Sequence, residues 1–438
     1  MRNVLLAMLA AILFLASCKK DDDIGASVYT VNVQLSYPSG SIFTAQEGVT
    51  VKMTSSASSY EAKTDASGKA TFAVPVGSYE VSATDARSAN GRSYVYNGVK
   101  NGVSIAGNWV STDVVALELQ ESERSQVVIK ELFVGGTPKD DGSGSFAFDK
   151  YLILYNNSDA TANLGNLCIA MISPYNAQAT NNYYNASGEL LYESEGWIPA
   201  AQGFWYFQQN VSLEPGKQIV IAVNNAVNNT LTYSKSINFD NAEYYCMYDI
   251  VKYTNTNYYV TPAASIPSSH YLKAETYGAG NAWPISVTSP GLFLFNPTGT
   301  TPSAFAADAS ANHTLSGYSS KKVPVSWVVD GMEAYLLNNT NNKKRFTSTI
   351  DAGYVYHINN QGYSIYRNVD KEATEAITSN AGKIVYNYQY GTVLVGGSTD
   401  GSGIDAEASI KNGARIVYKD NNNSTADFHL RSQASLRN

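Results

Sequence analysis

Side chains able to move protons, hold metals or attack a carbonyl are few in this sequence, and they are loosely grouped. Glu189, Glu193 and Glu195 stand close together beside Trp197, and Asp400, Asp405 and Glu407 share a Gly/Ser-rich stretch. Glycoside hydrolysis needs two carboxyl groups facing one sugar linkage, one to protonate the leaving oxygen and one to attack or to activate water. A surface glycan hydrolase using Glu193 and Glu195 is therefore the enzyme reading, set against the ordinary role of clustered acids, which is to solvate a surface. Asp140-Asp141-Gly142-Ser143-Gly144 and Asp400-Gly401-Ser402-Gly403-Ile404-Asp405 could converge oxygen ligands on calcium. Neither follows the EF-hand spacing, and Asp and Gly are also the usual residues of turns. Cys168 and Cys246 could pair in an oxidising compartment or remain buried thiols. No CxxC occurs, the histidines (His270, His313, His357, His429) are scattered, and no HExxH, GxSxG, GxxxxGK[ST] or GxGxxG is present. The expectation is a non-enzymatic protein with no metal and no cofactor.

Aromatic residues are the other candidates. Tyr183-Tyr184, Trp197 and Phe204-Trp205-Tyr206-Phe207 fall in or beside one Asn/Ser-rich excursion, and Tyr244-Tyr245, Tyr248, Tyr253 and Tyr258-Tyr259 fall in another. Adjacent residues of a strand point to opposite faces, so a Tyr-Tyr pair offers one ring to each side. Half of these rings are expected in the core. The rest, set among hydrogen-bonding neighbours, suit a sugar, nutrient or protein partner, because Tyr brings contact area at low entropy cost. Tyr183, Tyr184, Trp197, Trp205, Tyr244 and Tyr245 are the candidate contacts, with core packing as the alternative for each.

The N-terminus carries an address. Arg2 precedes the apolar run Val4 to Leu15, which is too short to span about 30 Å of hydrocarbon and reads as the core of a signal peptide, residues 1–17. Leu15-Ala16-Ser17-Cys18 resembles the bacterial lipobox, which implies cleavage before Cys18 and anchoring to outer-membrane lipid through its acylated thiol. Lys19, Lys20, Asp21, Asp22 and Asp23 resemble the export signal of Bacteroidetes surface lipoproteins, which implies an outer-membrane location facing the cell exterior, with residues 18–26 as a tether.

The elements that must position these residues are strands. The 438 residues hold 30 Lys+Arg against 37 Asp+Glu, so the net charge of −7 argues against nucleic acid as a partner. Only 15% of residues are charged, and Tyr (32) far outnumbers Phe (14) and Trp (5), which favours β-structure over long solvated helices. Alternating segments between Val28 and Leu119, joined by Asp65-Ala66-Ser67-Gly68-Lys69 and Pro75-Val76-Gly77, predict a small sandwich over 27–120. Gly48-Val49-Thr50-Val51, Thr64 to Phe72 and Pro75 to Val81 resemble the carboxypeptidase-regulatory-type domain, a transthyretin-like sandwich that serves as a stalk. The polar stretch Gln120 to Gln126 reads as the boundary.

Beyond it, Val127 to Val134 with Ile129 and Glu131, Asp149 to Ser158, Leu164-Gly165-Asn166-Leu167, Leu213-Glu214-Pro215-Gly216, Ser364-Ile365-Tyr366-Arg367 and Asn421 to Phe428 resemble the lamin-tail domain, an immunoglobulin-like sandwich. Ile153 departs from that family, which places Glu there. The resemblance implies a larger sandwich over 127–438, with Ile169–Ala201 and Ala226–Pro267 as insertions. The fold class is thus all-β. The whole chain also resembles an uncharacterised Bacteroidetes surface-lipoprotein family of unknown function. That resemblance implies an accessory or ligand-binding role beside an outer-membrane receptor of the TonB-dependent type, with a structural adhesin as a further alternative.

Overall fold

The computed structural model describes residues 27–437 apart from 42, 45–46, 90–91, 124 and 395–396. The signal segment, Cys18 and the Lys19–Asp23 run lie outside the described residues. The chain is all-β: the α-helices among the described residues are six residues long or shorter.

In the N-terminal unit β1 (Val28–Ser36) pairs antiparallel with β4 (Lys69–Pro75) and parallel with β7 (Val114–Glu118). Facing it is a sheet of order β3-β2-β5-β6-β8, built from β2 (Thr50–Thr54), β3 (Ser59–Lys63), β5 (Gly77–Ala89), β6 (Arg92–Ile105) and β8 (Gln120–Glu123). Every second residue of β4 (Ala70, Phe72, Val74) points inward, and these close on Val31, Val33, Val51, Met53, Val81 and Tyr96. The stretch expected as a boundary is in part an edge strand. Tyr94 to Asn97 of β6 pair with β5 on one side and offer their remaining backbone groups to β8 on the other, and Tyr96 Oη donates to Glu121 at 2.7 Å.

The second unit is one large sheet folded on itself. Its strands are β9 (Val127–Phe133), β10 (Tyr151–Asn156), β11 (Cys168–Ile172), β12 (Trp197–Tyr206), β13 (Gln218–Ala222), β14 (Tyr245–Met247), β15 (Tyr271–Thr276), β16 (Gly291–Phe295), β17 (Asn312–Leu315), β18 (Tyr318–Pro324), β19 (Val328–Leu336), β20 (Val355–His357), β21 (Ser364–Arg367) and β22 (Phe428–Arg431). The order is β20-β19-β16-β11-β12-β15-β14-β13-β10-β9-β21-β22, and the β17–β18 hairpin joins on β12. Asp330 of β19 closes the fold: its Oδ2 accepts from Ile129 N of β9 at 2.6 Å and from Arg367 Nη2 of β21 at 2.5 Å. Strands covered on both faces are apolar without alternation. In β10, Leu152 and Leu154 enter the central core with Trp205, Leu292 and Leu294, while Tyr151 and Ile153 enter an outer cluster with Phe133, Ile237 and Phe239.

This topology redraws both expected insertions. Ile169–Ile172 and Trp197–Ala201 are paired strand, so the first excursion is residues 173–196. The second is woven into the sheet, because Tyr245–Met247 runs parallel between β13 and β15 and completes their ladder. The two units meet at a polar seam. Asn97 Nδ2 donates to the carbonyls of Asn421 and Asn422 (the latter at 3.3 Å), and Asn423 Nδ2 donates to Thr84 Oγ1 at 3.3 Å.

Candidate functional site

β12 is the pivot of a cleft of small-molecule size. Its first half, Trp197–Ala201, pairs with β18, and its second half, Gly203–Tyr206, pairs with β15. The break falls at a bulge where Gln202 adopts φ 58° and Gly203 φ 155°. A Cβ on Gly203 would lie 2.3 Å from Tyr253 Oη and 2.5 Å from Glu275 O, so only glycine fits there. Bulges re-aim side chains, and this one turns Gln202 toward the cleft.

Residues 173–196 form the facing wall, and the segment Lys343-Lys344-Arg345 pins them. Lys343 N donates to Ala177 O at 2.9 Å, Tyr184 Oη to Lys344 O at 2.9 Å, and Tyr192 Oη to Arg345 O. Arg345 is fully enclosed. Its Nη1 donates to Pro174 O at 3.1 Å, its Nη2 to Ser289 O at 3.0 Å, and its Nε to Glu333 Oε1 at 2.7 Å. Lys344 Nζ lies 2.7 Å from Glu333 Oε2. Burial alone would raise the Glu333 carboxyl; Lys344 and Arg345 outweigh it and hold it below the usual range. The third wall is the β17–β18 hairpin. Leu315 pairs Tyr318 across the two-residue turn Ser316-Gly317, with φ 52° and 81°, the type I′ geometry that suits strand twist. Asn182 Nδ2 donates to Ser316 Oγ at 2.5 Å and ties the hairpin tip to the insertion.

These walls enclose about 560 Å³, within the range of small-molecule sites. Tyr175 and Tyr318 present half-free rings, 43% and 60% exposed, and Thr180, Asn182, Gln202, Ser316 and Ser319 supply hydroxyls and amides. No charged side chain lines the cleft.

Of the expected contacts, Tyr183 lines this cleft, but its ring is mostly enclosed, edge-on to Tyr192 and beside His313, with its Oη 3.3 Å from Ser320 Oγ. Tyr184 points the other way, under the Lys343 ammonium at 5.6 Å. Trp197 is buried, its indole N–H donating to Glu195 at 2.6 Å and its ring covered by Lys322 at 4.7 Å. Trp205 is fully buried against Tyr253 and Tyr259, so it leaves the contact set: it lies on the inward half of β12. Tyr245 stacks on His270 at 4.0 Å, and Tyr244 borders a separate cleft of about 290 Å³ with Lys235 and Arg437. The six expected residues therefore do not form one surface.

The carboxylates are likewise dispersed. Glu195 is held below the usual range by the Trp197 indole N–H and by Lys322, and neither it nor Glu193 lines the cleft. Asp405 caps the helix Ala406–Lys411, Asp400 accepts from Val369 N and Ser402 N, and Glu407 pairs with buried Lys130 at 2.7 Å. Asp141 accepts from Ser143 N, as a turn residue does, while Asp140 accepts from Ser234 N and Oγ across a long-range contact. Among the described residues no three His, Cys, Asp or Glu side chains converge as a metal site would require. Cys168 and Cys246 are buried free thiols. Sequence reading missed Tyr175, Gln202, Ser316 and Tyr318. A Gln-Gly inside an apolar strand and a Ser-Gly between two short alternating segments were the available signals.

With the geometry in hand, comparison with known proteins adds the fold. A family model described as a protein of unknown function (DUF4876) matches residues 214–387, less than half of the chain. The chain is similar to the crystal structure of a DUF4876 family protein from Bacteroides thetaiotaomicron, with 20% identity, 91% of this chain and 94% of that one covered, and a TM-score of 0.51. The major pilin subunit BcpA of Bacillus cereus is a far weaker likeness, at 12% identity, 70% and 94% coverage and a TM-score of 0.15, and carries no argument. No curated protein matches the sequence. What the chain shares with the Bacteroides protein, over nearly its whole length, is a fold whose function is unknown.

Proposed function

We propose that this chain is a non-enzymatic, lipid-anchored surface protein that binds a ligand in the cleft between residues 173–196, β12 and the β17–β18 hairpin, as an accessory to an outer-membrane uptake receptor. The observation that carries the binding role is the lining itself. It has exposed tyrosine faces and neutral hydrogen-bonding groups, and it lacks the paired carboxylates that hydrolysis would require. The anchor rests on the Cys18 motif, and the receptor partner rests on family resemblance. The stalk-like N-terminal sandwich suits a protein that presents a cleft away from a membrane.

The test is a mild-detergent pull-down of tagged full-length protein from its own outer membranes, followed by mass spectrometry. A stoichiometric β-barrel receptor supports the accessory role. Recovery without any receptor from intact membranes overturns it and favours adhesion. Cys18→Ala should release the protein from the membrane fraction; unchanged membrane association would overturn the anchor.

A further inference from the structure

Among the described residues, eight other than glycine have positive φ, and six of them are Asn, the type that tolerates this backbone best. The two exceptions are Gln202 and Ser316, and both line the 560 Å³ cleft. The first residue of such a bulge is ordinarily glycine, and the first residue of a type I′ turn is ordinarily Asn, Asp or Gly. Left-handed backbone costs an ordinary L-residue free energy, and such cost concentrates where a ligand is gripped. Among the described residues none hydrogen-bonds the Gln202 side-chain amide; its Cβ and Cγ lie 3.1 and 3.2 Å from where a Cβ on Gly278 would sit, and its Oε1 3.4 Å from where a Cβ on Gly280 would sit. An unengaged amide held at a strained position is a preformed contact in want of a partner.

We infer that the cleft takes a neutral oligosaccharide, with the Gln202 amide as its central hydrogen-bonding group and the Tyr318 ring as its stacking platform. This rests on the ligand-binding reading above and names its substrate class. The chemistry follows from the lining. Sugar hydroxyls both donate and accept, which matches one amide and several hydroxyls. Ring C–H groups carry slight positive charge and pack on the negative face of tyrosine. An anionic ligand would find no cation on the lining to replace its hydration.

Isothermal titration of the full-length protein with maltohexaose, cellohexaose, xylohexaose, mannohexaose and, as charged control, hexagalacturonate tests this. At least one neutral hexasaccharide is expected to bind and hexagalacturonate is not. Gln202→Gly should weaken binding tenfold or more while the melting temperature holds or rises, because glycine relieves the backbone. Tyr318→Ala, at an exposed position, should weaken binding to a similar degree with the fold intact. Three results overturn the inference: no neutral oligomer binding at millimolar concentration, equal binding of the charged oligomer, or unchanged affinity in Gln202→Gly. A receptor recovered in the pull-down alongside any of these would sink the saccharide assignment and leave the accessory reading standing.

Discussion

Residues 173–196 and residues 226–267 look alike in sequence, both rich in Tyr, Asn and Ser, yet the fold uses them differently. In the second, Tyr253, Tyr258 and Tyr259 turn inward and pack with Trp205 and Trp283 in the central core. In the first, the chain leaves the sheet at Ile172, returns at Trp197 and leans on the Arg345–Glu333 pair, so a cleft stays open beside it. The difference lies in the flanking ladder. Tyr245–Met247 fills a gap between β13 and β15 and draws its surroundings onto the sheet, whereas β11 and β12 already pair directly and leave the connecting residues outside. Aromatic content therefore marks where rings are, while strand pairing decides whether they are core or surface.

The contrast can be broken most forcefully at Arg345. Arg345→Ala leaves Glu333 buried with one partner fewer, which should cost about 3–5 kcal/mol in urea unfolding and release the wall at Pro174. A loss below about 1 kcal/mol would mean the pin is not what holds that wall. Next in size, Tyr259→Ala should cost about 3 kcal/mol, because its ring is buried and its Oη accepts from Trp283 N at 3.0 Å. Tyr318→Ala should stay within about 0.5 kcal/mol of the parent. Similar losses in the two would erase the distinction between a core ring and a cleft ring.

A third prediction concerns acid. Burial holds His357 down to about 4 and His429 down to about 3, so both stay neutral in the folded protein. In the unfolded chain each takes a proton near 6.5. As pH falls through that value the unfolded state gains protons the folded state refuses, and stability present above about 6.5 is lost progressively toward 4 and 3. At pH 5 each accounts for about 2 kcal/mol. Asp351 runs the other way, since burial pushes its carboxyl up to about 6 and acid relieves it. Chemical unfolding of parent and His357→Gln at pH 7.5 and pH 5 isolates the imidazole: the variant should lose about 2 kcal/mol less, and parallel losses would show that His357 does not titrate as described. Gln202→Gly is expected to act in the stabilising direction. Relief of left-handed strain, about 1–2 kcal/mol, is set against the chain entropy of glycine, about 0.5–1 kcal/mol. Thermal unfolding should therefore show a gain of up to about 1.5 kcal/mol, and a clear loss would mean the side chain packs as structure.

The all-β class was legible because alternation and turn chemistry are local. Ala70, Phe72 and Val74 announce one buried face, and Asp65 accepts from Ser67 N and Lys69 N as its turn demands. Tyr183 and Tyr184 do point apart, but Tyr183 sits in a turn and Tyr184 in an isolated bridge of the excursion, so strand alternation is not the cause. Long-range closure was not legible. Nothing near Asp330 says that Arg367 and Ile129 will meet it, and nothing near Trp205 says that its side of β12 faces inward. The cleft escaped for the same reason: its walls come from segments far apart in sequence, joined through Arg345 and the Asn182–Ser316 bond.

The seam at Asn97 sets how the molecule can move. Asn97 and Thr84 hold the loop Asn421–Asn423. That loop is braced by Asp427 at Asn421, and next to it Ser424 donates twice to Asp351 at 2.7 Å. Asp351 stands 3.8 Å from Lys344, the residue whose carbonyl receives Tyr184 from the cleft wall. One chain of bonded contacts therefore runs from the cleft wall to the N-terminal sandwich, through Lys344, Asp351 and the Asn421–Asn423 loop.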